Sequence, residues 1–202
     1  MTRGLRGEVA AMQEIKYIVA GLGNPGRKYV HTRHNAGYLA LDYISQKYNF
    51  RINSLKFRAY CGRYDFSGGG ALFMKPATYM NASGEAVGAA ANFYNIAPEH
   101  ILVISDDVAL PVGKIRIKAR GSDGGQKGLR SIINILGTEC FPRIKIGVGE
   151  KPHPDFKLER WVLSDFTKEE QELIFGVFAG VHDCVDMFLS GLALDRLQNK
   201  YN

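Results

Sequence analysis

The 202-residue chain has little cysteine and tryptophan, three of the first and one of the second. Cys61, Cys140 and Cys184 form an odd set with no C-x-x-C pair. That argues against a disulfide framework and a cysteine-based zinc site, and suits a reducing compartment such as the cytoplasm. The three read instead as small core hydrophobes. There is no H-E-x-x-H pair and no carboxylate cluster of the kind that holds a metal. No apolar run approaches the roughly 20 residues that a membrane-crossing helix requires. A nucleophile elbow of the form G-x-S-x-G is also missing, so Ser83, close to Asn81, reads as a helix cap rather than a nucleophile. Repeats and low-complexity tracts are lacking too.

What remains is an ordinary globular composition, 46% hydrophobic and 23% charged, in a chain long enough for one domain with a full core. The formal net charge of +6 makes an anionic partner worth considering. Residues 1–14 show no periodicity and no apolar core of a secretory leader, and are expected to be a disordered N-terminal extension. Residues 15–202 are expected to form a single domain.

The chain is organised around Gly21 to Gly37. An apolar run, Tyr17 to Ala20, precedes this stretch and reads as a buried strand. Ala36, Leu39, Ala40, Tyr43, Ile44 and Lys47 follow at helical spacing. Two short runs around Ser67-Gly68-Gly69-Gly70, Arg58 to Phe66 and Ala71 to Met74, read as a hairpin. A helix from about Ser83, a short strand Ile101 to Ile104, and a helix carrying Leu129, Ile132, Ile133 and Leu136 come next. Residues 149–165, with Pro152, Pro154 and Trp161, read as a surface loop. Lys168 to Asn199 reads as helical, interrupted by Gly191. Strands and helices alternate, which predicts an α/β fold: a three-layer α/β/α sandwich around a twisted mixed sheet.

Gly21, Gly23 and Gly26 match the dinucleotide fingerprint G-x-G-x-x-G. Two features set a nicotinamide or flavin oxidoreductase aside. Pro25 removes a backbone donor where a pyrophosphate should approach. The acidic residue at the right distance, Asp42, lies inside a helical pattern instead of at a strand end.

Asn24, Asn81 and Asp106 each fall just past an apolar run. If the strands are parallel, all three share one sheet edge with His34 at the start of the first helix. A carboxylate beside an imidazole fixes its tautomer and raises its basicity, and amides at such a rim can hold a carbonyl or a water. Each residue alone has an ordinary reading as a turn or cap residue; their joint placement suggests a histidine that activates water. His31, three residues before His34, is the rival base. Lys114 to Arg120 alternates strictly, which puts Lys114, Arg116, Lys118 and Arg120 on one strand face, and Arg143 to Val148 does the same for Arg143 and Lys145.

These residues sit in motifs that resemble bacterial-type peptidyl-tRNA hydrolases. The matching pieces are Val19-Ala20-Gly21-Leu22-Gly23-Asn24-Pro25-Gly26, Tyr29, Thr32-Arg33-His34-Asn35-Ala36-Gly37, Lys75-Pro76, Tyr79-Met80-Asn81-Ala82-Ser83-Gly84, and Asp106-Asp107 with Leu110-Pro111. The resemblance runs from about Tyr17 to the C-terminus. It implies hydrolysis of the ester joining a peptide to the 3′ end of tRNA, by a cytoplasmic monomer without metal or cofactor. It implies His34 as the base and Asp106 as its partner. Asn24 and Asn81 would be substrate ligands, with Tyr29, Tyr79, Met80 and Lys127 beside them. The acceptor stem would be the docking partner, its 5′ phosphate clamped by Lys118 and Lys145 with Arg116 and Arg143 on the same basic faces. One position departs from the family's pattern. Its glycine loop usually ends His-Asn-Gly, whereas here Lys127 stands in the asparagine's place. A non-catalytic RNA-binding relative, like the chloroplast intron-splicing factor of this fold, is the main rival; it would need the basic face but not the imidazole.

Overall fold

The computed structural model describes residues 12–192 and Tyr201. The expected N-terminal extension up to residue 11, and the continuation of the last helix through 193–199, lie outside the described residues.

Among the described residues, seven strands form one sheet in the order β2-β3-β4-β1-β5-β7-β6. They are β1 (Ile15–Gly21), β2 (Ser54–Lys56), β3 (Ala59–Phe66), β4 (Gly69–Pro76), β5 (Ile101–Asp107), β6 (Ile115–Lys118) and β7 (Arg143–Gly147). The central strands β4, β1, β5 and β7 run parallel, while β2, β3 and β6 make antiparallel pairings at the two edges. The sheet is therefore mixed, and β3 and β4 form the expected hairpin. Three exposed residues make up β2, and so short an edge strand leaves no hydrophobic pattern to read.

Among the described residues, the α-helices are α1 (Ala36–Lys47), α2 (Ser83–Tyr94), α3 (Lys127–Leu136), α4 (Leu158–Val162) and α5 (Lys168–Leu189). Alternation along β1 assigns the faces. Val19 packs in a core with Leu41 and Ile44 of α1 and Phe178 and Val185 of α5. Ile18 and Ala20 pack in a second core with Val87 and Ala90 of α2 and Leu129 and Ile132 of α3. This is the three-layer α/β/α arrangement. A capping box between Thr167 and Glu170 starts α5, and the helix stops at Leu189, just before Gly191 at φ +73°. Among the described residues no helix is long and apolar enough to cross a membrane.

Two glycines set how closely α1 meets the sheet. A Cβ on Gly37 would lie 2.4 Å from the Ile104 carbonyl oxygen and 2.5 Å from the Leu22 nitrogen. One on Gly21 would lie 2.4 Å from the Gly37 carbonyl oxygen. Only hydrogen fits at either place, so the first turn of α1 rests directly on the ends of β1 and β5. The short 3₁₀ turn Arg33–Asn35, which carries His34, is thereby brought to the end of β5, where Asp106 lies.

Candidate active site

The C-terminal ends of β1, β4 and β5 do share one edge, as parallel pairing requires. There His34 Nδ1 donates to Asp106 Oδ2 at 2.8 Å, with the two side chains 12% and 2% exposed. The other carboxylate oxygen, Oδ1, accepts from Gln126 Nε2 at 2.9 Å. Gln126 is itself fixed, because its Oε1 caps α3 by accepting from the Leu129 amide at 2.8 Å. Asp106 is thus held at both oxygens while buried, and the bond at Nδ1 leaves Nε2 as the free nitrogen of His34.

Asn24 is positioned by backbone and by a second amide. Asn35 clasps it from both sides, accepting from the Asn24 nitrogen at 2.8 Å and donating to the Asn24 carbonyl at 3.1 Å. The Met80 amide donates to Asn24 Oδ1 at 2.9 Å. That donor fixes which way the side-chain amide faces, so Nδ2 is the group left to donate to a ligand. The same bonds show why the glycine-rich loop is no phosphate cradle: the Leu22 amide is committed to the Ile104 carbonyl and the Asn24 amide to Asn35.

These groups open onto a cavity of about 550 Å³ lined by Asn24, His34, Met80, Asn81, Asp106 and Lys127 among others. Tyr79 also lines it, and Tyr29 stands edge-on behind Tyr79, with ring centroids 6.5 Å apart. The far wall is apolar: Val108 from the loop after β5, and Leu158, Val162 and Leu163 from α4 and the residue after it. Residues 149–165 therefore depart from the expected surface loop. They contain α4, and this stretch walls the cavity. Neither Gln126 nor these apolar residues stood out in the sequence, since an amide in a glycine-rich loop and a five-residue helix have no periodic signature.

Lys127 lines the mouth of the cavity, and its Nζ lies 2.5 Å from Glu159 Oε1 on α4. Both side chains are exposed, 56% and 76% respectively. The hydrogen bond and charge of Lys127 hold the Glu159 carboxyl below the usual carboxylate range. The ammonium thus points neither at His34 nor freely into solvent, but across the mouth.

Pairing of β6 with β7 sets Arg116 opposite Lys145 and Lys118 opposite Arg143, which puts all four on one face of the sheet. Depth then separates them. Lys118 is exposed, and Arg116 half-buried. Lys145 Nζ pairs with Asp107 Oδ2 at 3.0 Å and borders the cavity. Arg143 corrects the expectation of a phosphate ligand: it is 1% exposed, and its guanidinium donates to the carbonyls of Gly121, Ser122, Glu139 and Phe141. Its role is to close the loop before α3 onto the turn before β7.

The family model described as peptidyl-tRNA hydrolase matches residues 18–202. A peptidyl-tRNA hydrolase of Caldicellulosiruptor bescii is 45% identical over 186 residues, covering 92% of this chain and 96% of the relative. One from Lactobacillus delbrueckii subsp. bulgaricus is 46% identical over 189 residues, covering 93% and 100%. Among solved structures, peptidyl-tRNA hydrolase from Acinetobacter baumannii superposes with a TM-score of 0.81 at 35% identity, over 89% of this chain and 91% of that one.

Proposed function

The chain belongs to the peptidyl-tRNA hydrolase family, whose reaction is hydrolysis of the ester between peptide and tRNA, and from that premise we propose that His34, held by Asp106, activates the attacking water. The observation that carries this reading is the buried carboxylate fixed at both oxygens, with one of them on the imidazole.

The chemistry follows from the free groups. His34 Nε2 takes a proton from water as the water oxygen attacks the ester carbonyl. Asp106 stabilises the imidazolium that forms, without itself taking the proton. The carbonyl oxygen gains negative charge, and Asn24 Nδ2 is the donor available to meet it at the cavity floor. As the tetrahedral intermediate collapses, the ester C–O bond breaks and the imidazolium returns its proton to the ribose oxygen. Free peptide acid and tRNA leave.

Asn81, Tyr79 and Met80 border the peptide, with Tyr29 supporting Tyr79. The acceptor stem lies along the basic face, with its 5′ phosphate at Lys118 and Lys145 and Arg116 beside them. Lys127 stays at the rim with Glu159 and not on the peptide. The protein acts in the cytoplasm as a monomer, a reading supported for the compartment by its odd set of three cysteines with no C-x-x-C pair. Residues 15–202 act as one domain.

The test is release of deacylated tRNA from N-acetyl-aminoacyl-tRNA with and without a chelator. Multiple turnovers in both conditions are expected. Binding of the substrate without any ester cleavage would favour the RNA-binding rival.

A further inference from the structure

We propose that Arg33 is a positioning residue that sets the shape of the substrate cavity, by holding the α4 wall against the turn that carries His34. This rests on the hydrolase reading of that cavity. Arg33 immediately precedes His34, yet its side chain turns away from the reacting centre and is only 2% exposed. Its guanidinium forks onto Glu170 of α5, with Nη1 to Oε1 at 3.0 Å and Nη2 to Oε2 at 2.7 Å. Nη1 also donates to the Val148 carbonyl at 2.9 Å, and Nε to Ser164 Oγ at 3.3 Å. Its flat face lies 3.7 Å from the ring centroid of Trp161 in α4 and 5.1 Å from that of Phe166.

The backbone repeats the link. The Arg33 amide donates to the Ser164 carbonyl at 3.0 Å, and Thr32 and Asp165 form an isolated β-bridge. Trp161 is tied at its other edge, where Nε1 donates to the Gly149 carbonyl at 2.8 Å. These anchors matter because α4 cannot stand alone. It has five residues, of which only Val162 is buried. A helix that short is far below the length that is stable without tertiary support. The cavity-lining Leu158, Val162 and Leu163 therefore owe their place to these anchors, of which the stack of Trp161 on Arg33 is the side-chain contact that a substitution can remove. Lysine would keep the positive charge near Glu170 but supply neither the fork nor the planar face.

On the hydrolase reading, this apolar wall is the surface that takes an apolar side chain of the last peptide residue, so Arg33 governs how well that side chain binds. The experiment uses Arg33→Lys and, as a milder second variant that leaves the guanidinium in place, Glu170→Gln. Trp161 is the single tryptophan of the chain, so its fluorescence reports the wall directly. In both variants acrylamide quenching of Trp161 should rise and its emission move to the red, more in Arg33→Lys. For N-acetyl-phenylalanyl-tRNA, KM should rise about tenfold in Arg33→Lys, the scale of lost apolar contacts in a pocket. For N-acetyl-glycyl-tRNA, KM should stay near the parent value, and kcat should change little for either. If Arg33→Lys does not fold, the same directions are required of Glu170→Gln. Folded variants with a lowered Tm but parental quenching and KM for both substrates would overturn the proposal and leave Arg33 a purely structural residue. Failure of the parent protein to cleave either ester would instead sink the hydrolase reading, and the quenching alone would then decide whether Arg33 holds the wall.

Discussion

Replacing Asp106 by asparagine changes one atom and sets two donors in conflict over one acceptor. In the parent protein, His34 Nδ1–H and Gln126 Nε2–H each have a carboxylate oxygen, at 2.8 and 2.9 Å. An amide offers one oxygen and one NH₂ group. If the new NH₂ faces Gln126, two donors oppose each other in a buried site. Turning it toward His34 makes Nδ1 the acceptor, which puts the proton on Nε2, where a base must have none. Either way the imidazolium also loses its buried negative partner. The whole contribution of a positioned base is at stake, about 10²- to 10⁴-fold in rate, or roughly 2.7 to 5.4 kcal/mol of transition-state stabilisation. Single-turnover hydrolysis of N-acetyl-aminoacyl-tRNA measures it free of product release. The conflict also predicts a rescue. Combining Asp106→Asn with Gln126→Glu returns an acceptor to face the new NH₂, lets its oxygen accept from His34, and restores a negative charge one residue further out. The double variant should recover part of the lost rate. An Asp106→Asn protein with more than a tenth of the parent rate, or a double variant no better than the single one, would refute the reasoning.

Three further outcomes are expected. Lys118→Ala should weaken tRNA binding and flatten its salt dependence by about one phosphate contact, measured by titration at several salt concentrations; an unchanged slope would make the lysine a merely solvated strand residue. Lys127→Asn should leave the acid limb of the kcat/KM profile where it is, since the ammonium faces Glu159 rather than His34; a limb that moves to higher pH would place the charge inside the site. Burial works against the charged form of Glu170, but the Arg33 hydrogen bonds, the Thr167 amide and the Arg33 charge outweigh it and hold its carboxyl below the ordinary value of 4.5. A depressed carboxylate stabilises the fold above its unfolded pKa and loses that contribution as pH falls through the folded value. Denaturant titrations should therefore show part of the parent's acid loss of stability missing from Glu170→Gln, and identical pH dependence would contradict this.

How far the sequence reveals this site depends on what kind of signal each residue leaves. Asn24, His34 and Asp106 follow or precede periodic runs, so strand ends and a helix start are enough to bring them to one edge. The basic face of β6 and β7 is legible from alternation alone, but alternation reports a face and not a depth. Arg143 shares the pattern of Lys145 and is buried, because carbonyls of residues 121, 122, 139 and 141 close around it. Gln126 acts through a contact 20 positions away in sequence, from a loop whose glycines say only that the backbone turns. Arg33 lies within a recognisable motif, but its partner Glu170 is 137 residues distant, and no local pattern marks the pair. For the same reason α4 was hidden. Tertiary anchors hold it, and its intrinsic tendency to form a helix is slight.

The central claim, that His34 and no other group activates the water, is tested most directly by comparing His34→Ala with His31→Ala in the same hydrolysis assay. His31 is exposed, and the site's hydrogen bonds run through His34. His34→Ala should lose roughly 10² to 10⁴ in kcat with tRNA affinity preserved, while His31→Ala should stay close to the parent. Equal losses in both, or a His34→Ala protein that still turns over at the parent rate, would contradict the account.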